Sequence, residues 1–103
     1  MDHAQTTLVF QALADPTRRA ILDHLKEADK SVRELTELFA ISQPAVSKHL
    51  KILEEAGLIS RSTDAQRRPR RLEAGPLEDI AKWLEGYQPF WEDSRARRAE
   101  FSH

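Results

Sequence analysis

The chain reads as a mainly α-helical domain of about five helices that carries one two-stranded β-hairpin. Three observations predict this class. Apolar residues recur at three- and four-residue spacing through most of the chain. Helix-opening signatures recur at Asp15-Pro16, at Ser31 with Glu34, and at Ser42 with Pro44. Only residues 58–63 and 69–74 read as strands, joined by the polar turn Asp64-Ala65-Gln66-Arg67-Arg68. A length of 103 residues with 40% hydrophobic content supplies one modest core. A single domain over residues 1–103 is therefore expected.

The elements follow in order. Leu8, Val9, Ala12 and Leu13 mark an opening helix over residues 4–14. Asp15 can then accept from free N–H groups, and Pro16 occupies a first-turn position where its missing donor costs nothing. Ile21, Leu22 and Leu25 give this second helix its buried stripe. Ser31-Val32-Arg33-Glu34 is a capping box for a short third helix, with Leu35, Leu38 and Phe39 expected in the core. Ser42 caps a fourth helix that runs to about Ala56, where Gly57 supplies a left-handed end and Leu58 folds back. The third and fourth helices, over residues 31–56, form a tight helix-turn-helix pair. The hairpin spans 58–74, and a last helical run spans 76–101. Pro89 should bend or divide that run.

Several classes of function drop out early. No stretch approaches the roughly 18 apolar residues of a membrane span, and the first residues lack the pattern of a secretory signal. Without cysteine there is no disulfide, thiolate metal site or thiol nucleophile. The expected setting is the cytoplasm, with no membrane partner. No nucleophile elbow, phosphate loop or His-Glu-x-x-His motif is present. The acidic pairs Glu54-Glu55, Glu78-Asp79 and Glu92-Asp93 are helix neighbours that diverge, so no catalytic pair is expected. The chain does not read as an enzyme.

Charge is distributed unevenly. Residues 1–42 carry five basic against seven acidic side chains, residues 43–71 seven against three, and residues 72–103 four against seven. The middle segment is thus +4 between flanks of −2 and −3. Such a segment can meet a polyanion while the whole chain stays near neutral.

Within that segment the fourth helix has two faces. At about 100° per residue, Val46, Leu50 and Leu53 fall within about 60° of one another and face the core. Gln43, Ser47 and Lys51 take the outward stripe with Lys48 beside them, and Ala45 keeps the approach narrow. Gln can bond an adenine edge twice, Ser a base or phosphate, and Lys a guanine or phosphate. The hairpin adds Arg61, Arg67, Arg68, Arg70 and Arg71, whose mutual repulsion an anionic partner relieves. Double-stranded DNA is the expected partner, and no cofactor is expected.

Two motifs stand out: Ala12-Leu13-Ala14-Asp15-Pro16-Thr17-Arg18-Arg19-Ala20-Ile21-Leu22, and the stretch from Ile41-Ser42-Gln43-Pro44 through His49 to Ala56-Gly57-Leu58-Ile59. Together they resemble the ArsR family of winged helix-turn-helix repressors. The resemblance implies a homodimeric DNA-binding repressor. Ser42, Gln43, Pro44, Ser47 and Lys48 would face the groove, while Arg61, Arg67 and Arg68 would serve the wing. His49 falls nearer the apolar side and reads as a packing or helix-orienting residue. The chain departs from the metal-sensing members. Where those carry Cys-x-Cys it has Glu34-Leu35-Thr36-Glu37-Leu38-Phe39, and its last helix has no histidine before His103. It is similar to the subgroup without a cysteine box, and no metal is expected. An arrangement of Asp2, His3 and a partner chain is the one alternative site. The effector is left open.

Aromatic residues cluster at the end, with Trp83, Tyr87, Phe90, Trp91 and Phe101 in the last run. Each ring buries roughly 150–250 Å², more than one small domain can cover on both faces of a helix. A twofold partner is expected to cover Leu8 and Val9 of the first helix with Trp83, Tyr87, Phe90 and Trp91. The competing reading is a winged-helix protein-interaction module, which has no use for an arginine-rich hairpin.

Overall fold

A computed structural model describes residues 3–63 and 68–101 of the chain, and the side chains only to residue 99. The order is α1 (His3–Leu13), α2 (Pro16–Glu27), α3 (Val32–Leu38), α4 (Gln43–Glu55), β1 (Ile59–Arg61), β2 (Arg70–Leu72), α5 (Gly75–Glu85) and α6 (Gln88–Phe101). There are six helices among the described residues, one more than expected. The last run divides at Gly86-Tyr87, and Pro89 sits in the first turn of α6. A proline is tolerated there because it has no hydrogen bond to break.

Local chemistry fixes the helix ends. Asp15 Oδ1 accepts from the backbone N–H of Thr17 at 2.8 Å and of Arg18 at 3.2 Å. Ser31 and Glu34 form the reciprocal capping box, at 3.0 and 3.1 Å. Ser42 Oγ accepts from Ala45 N at 3.3 Å. At the far end of α4, Gly57 takes φ +77°, and Leu58 N–H returns to Leu53 O at 3.0 Å. This left-handed turn aims the chain into β1 and seats Leu58 in the core.

The core gathers Ile21, Leu22 and Leu25 of α2, Leu35 of α3, Val46, Leu50 and Leu53 of α4, and Ile80 of α5. Val9 and Ala12 of α1 close it. Leu38 does not join them: it is 48% exposed, because α3 ends at that residue and its last turn faces solvent. The strands pair antiparallel with Ile59 opposite Leu72 and Arg61 opposite Arg70. Lys30, between α2 and α3, bonds Arg70 in both directions, at 2.7 and 3.1 Å, and so anchors the wing to the body. The radius of gyration is 17.1 Å, against about 13 Å for a compact chain of this length. The excess reflects α6, which has no buried residue among those described.

Candidate nucleic-acid interface

α4 presents two opposite faces. Val46, Leu50 and Leu53 are at most 1% exposed, while Gln43, Pro44, Ser47, Lys48 and Lys51 are all exposed. Among the described residues, no hydrogen bond or ion pair occupies the side chains of Gln43, Ser47, Lys48 or Lys51. From Gln43 to Lys51 the stripe runs about 12 Å along the helix axis. Ser42 is exposed at its head, although its hydroxyl oxygen is already the cap acceptor. Donors on this stripe are free to meet a ligand, and the N-terminus of α4 adds a positive dipole end.

The wing is less uniformly cationic than its sequence suggests. Arg70, expected to touch DNA, is 7% exposed and turns inward. Its Nε donates to Glu54 Oε1 at 2.8 Å and its Nη1 to Arg68 O at 2.5 Å. Burial of a guanidinium demands such partners, so Arg70 is a structural tie. Arg61 also meets Glu54 Oε1, at 3.1 Å, but its side chain stays 52% exposed. Arg71 bridges to Asp29 at 3.2 Å. Three of the five arginines are therefore offset by the protein's own carboxylates. Arg68 is exposed at the tip, in a left-handed conformation with φ 41°. Arg67 lies outside the described residues. Glu54 is the residue the sequence reading missed. Its one available signal was an acid at the end of a helix that leads into a basic hairpin.

The aromatic face also needs one correction. Val9 is 1% exposed and belongs to the subunit's own core. It faces inward with Ala12, three residues on, while its neighbours Leu8 and Phe10 are about 40% exposed. Phe10, and not Val9, lies exposed beside the aromatic cluster, with its ring edge-on to Trp83 at 5.8 Å. Trp83 in turn meets Tyr87 at 5.2 Å. Trp83, Tyr87 and Trp91 are 40–48% exposed, and Phe90 is 71% exposed. His49 is half-buried, with Nδ1 3.2 Å from Arg18 Nη1.

Among the described residues no group of three or more His, Asp or Glu side chains could hold a metal ion, and Asp2 lies outside them. No described helix is long and apolar enough to cross a membrane.

A short helix pair whose second member bares a polar stripe beside a cation-tipped hairpin defines a winged helix-turn-helix DNA-binding domain. Residues 15–61 match the arsR family of bacterial regulatory proteins. The transcriptional repressor SdpR of Bacillus subtilis is 42% identical over 76 residues, spanning 74% of this chain and 84% of that protein. The crystal structure of an ArsR family transcriptional regulator aligns with a TM-score of 0.79 at 36% identity, covering 89% of this chain and 95% of the other. The homodimeric winged helix-turn-helix DNA-binding domain of Mb0332 from Mycobacterium bovis aligns with a TM-score of 0.64 at 26% identity, covering 91% and 84%. The chain belongs to the arsR family, and it is a transcriptional regulator.

Proposed function

We propose that the protein represses transcription by binding a palindromic operator as a homodimer, with one α4 in the major groove of each half-site. One observation carries this reading: the stripe from Gln43 to Lys51 is exposed, while the opposite face of the same helix is fully buried. Gln43, Ser47 and Lys48 read bases, with Lys51 at the end of the stripe. Ser42, Pro44 and the N-terminus of α4 approach the backbone, and Arg61, Arg67 and Arg68 hold phosphates. The finer claim of repression is supported by the similarity to SdpR.

The homodimer is supported by exposed apolar surface. An isolated helix of 14 residues is marginal in water, yet α6 is 14 residues long with no described residue buried. A twofold partner covering Leu8, Phe10, Trp83, Tyr87, Phe90 and Trp91 removes that deficit. Two recognition helices then lie about 34–36 Å apart, one turn of DNA. Selection of bound duplexes from a random pool tests the reading. The expected product is an inverted repeat with half-sites centred about 10 base pairs apart. Enrichment of no sequence, or of a single unrepeated site, refutes it.

A further inference from the structure

α1 holds α4 at two separated points. Near its start, the Gln5 amide donates to Ala56 O at the end of α4. Near its end the hold is indirect and runs through Arg18, whose side chain is only 13% exposed. Arg18 Nε donates to Ala12 O at 2.7 Å, and Nη2 donates to Gln11 O at 2.9 Å, an oxygen it shares with Ala14 N–H at 3.3 Å, so the guanidinium caps the end of α1. The remaining nitrogen, Nη1, lies 3.2 Å from His49 Nδ1 and 3.9 Å from Asp15 Oδ2. A guanidinium has donors only, so His49 Nδ1 is the acceptor. His49 adjoins Lys48 and lies two residues from Ser47, on the flank of the proposed reading stripe.

We propose that Arg18 is a positioning residue for base reading, which locks the roll of α4 to α1 through His49. The inference rests on the DNA-reading function proposed above. Its physical basis is leverage. On a helix 10–12 Å across, a roll of about 10° moves a side-chain tip by about 1 Å. That displacement spoils a base-edge hydrogen bond, whose useful range is only about half an ångström wide. Phosphate attraction decays over about a Debye length and barely registers the same movement. Loss of the tie therefore costs specificity before it costs affinity for DNA in general.

The test begins with the duplex that the wild-type protein selects from a random pool, and a scrambled duplex of equal length. Dissociation constants for both are measured by fluorescence anisotropy at one salt concentration, with circular dichroism confirming the fold. Arg18→Met and His49→Leu are each expected to weaken the selected duplex about tenfold and the scrambled one less than about twofold. The double variant is expected to lose about tenfold, not a hundredfold, because the reading of bases depends on the one Arg18–His49 contact that both changes break. His49→Asn keeps an acceptor close to the position of Nδ1 and is expected to recover most of the loss. Should Arg18→Met fail to fold, the comparison of His49→Leu with His49→Asn decides the question.

Equal losses on both duplexes, a hundredfold loss in the double variant, or wild-type binding by the single variants would each overturn the proposal. So would an Asn variant no better than Leu. Failure of the wild-type protein to select any duplex is a different result, which removes the DNA-reading assignment itself.

Discussion

Substitution of Glu54 by Ala, near the end of α4, is expected to destabilise the protein more than loss of its wing partner Arg70 does. Its carboxylate receives Arg70 at 2.8 Å and Arg61 at 3.1 Å. Side-chain exposure is 9% for Arg70 and 22% for Glu54. Breaking a fully buried pair from one side costs about 3–5 kcal/mol, since a charge is left without its partner. Partial exposure of Glu54 and the second Arg70 bond, to Arg68 O, reduce this to about 2–3 kcal/mol. For a domain of this size that is a fall in Tm on the order of 10–20 °C. Arg70→Met is the informative control. It removes the buried cation and fills most of the space, while Glu54 keeps Arg61 and contact with water. Its expected cost is below about 1.5 kcal/mol. Urea and thermal unfolding of all three proteins, at one protein concentration, measure the difference. An Arg70→Met protein as unstable as Glu54→Ala, or a Glu54→Ala protein within about 0.5 kcal/mol of wild type, refutes the inward-facing tie.

Other substitutions separate the remaining roles. Gln43→Ala is expected to relax specificity at one base position, by about 1–3 kcal/mol on the preferred base, as read by binding to single-base operator variants. Arg68→Ala is expected to weaken every sequence alike and lower the salt slope by about one unit, and its effect is checked by titration at several salt concentrations. Phe90→Glu places a charge on the most exposed ring and is expected to yield monomers in sedimentation, with weaker operator binding. Asp15 gives a pH signature. Partial burial raises its pKa, but the N–H groups of Arg18 and Thr17 and the positive charge nearby hold it below the ordinary 3.8. The carboxylate's contribution is therefore full above that value and is lost as pH falls through the lowered one. Acid unfolding should show wild type more stable than Asp15→Asn at neutral pH, with the gap closing only in the acid range below 3.8.

Elements set by local chemistry were legible in the sequence. Asp15, Ser31 with Glu34, and Ser42 each satisfy backbone groups within three residues, so their helices start where the caps stand. The two faces of α4 were equally legible, because Val46, Leu50 and Leu53 recur at helical spacing. What escaped depends on partners far along the chain. Arg70 turns inward toward Glu54, sixteen residues away, and Lys30 bridges to it from forty residues back. Repulsion among five wing arginines is a sound expectation only if no carboxylate reaches them, and Glu54 and Asp29 do. On α1 the run Leu8-Val9-Phe10 is apolar in every direction, so periodicity alone could not choose Val9 for the core and leave Phe10 exposed. The division at Gly86-Tyr87 left a weaker trace, since Pro89 marks only the neighbourhood of the break.

Lysine reactivity is the most direct probe of where DNA sits. Lys48 and Lys51 stand on the α4 stripe, whereas Lys26 and Lys82 lie on other helices with side chains 65% and 66% exposed. Mass spectrometry after acetylation, with and without saturating selected duplex, compares the four in one experiment. Strong protection of Lys48 and Lys51 with Lys26 and Lys82 unchanged is the expected result. Undiminished labelling of Lys48 and Lys51 in the bound protein contradicts the account.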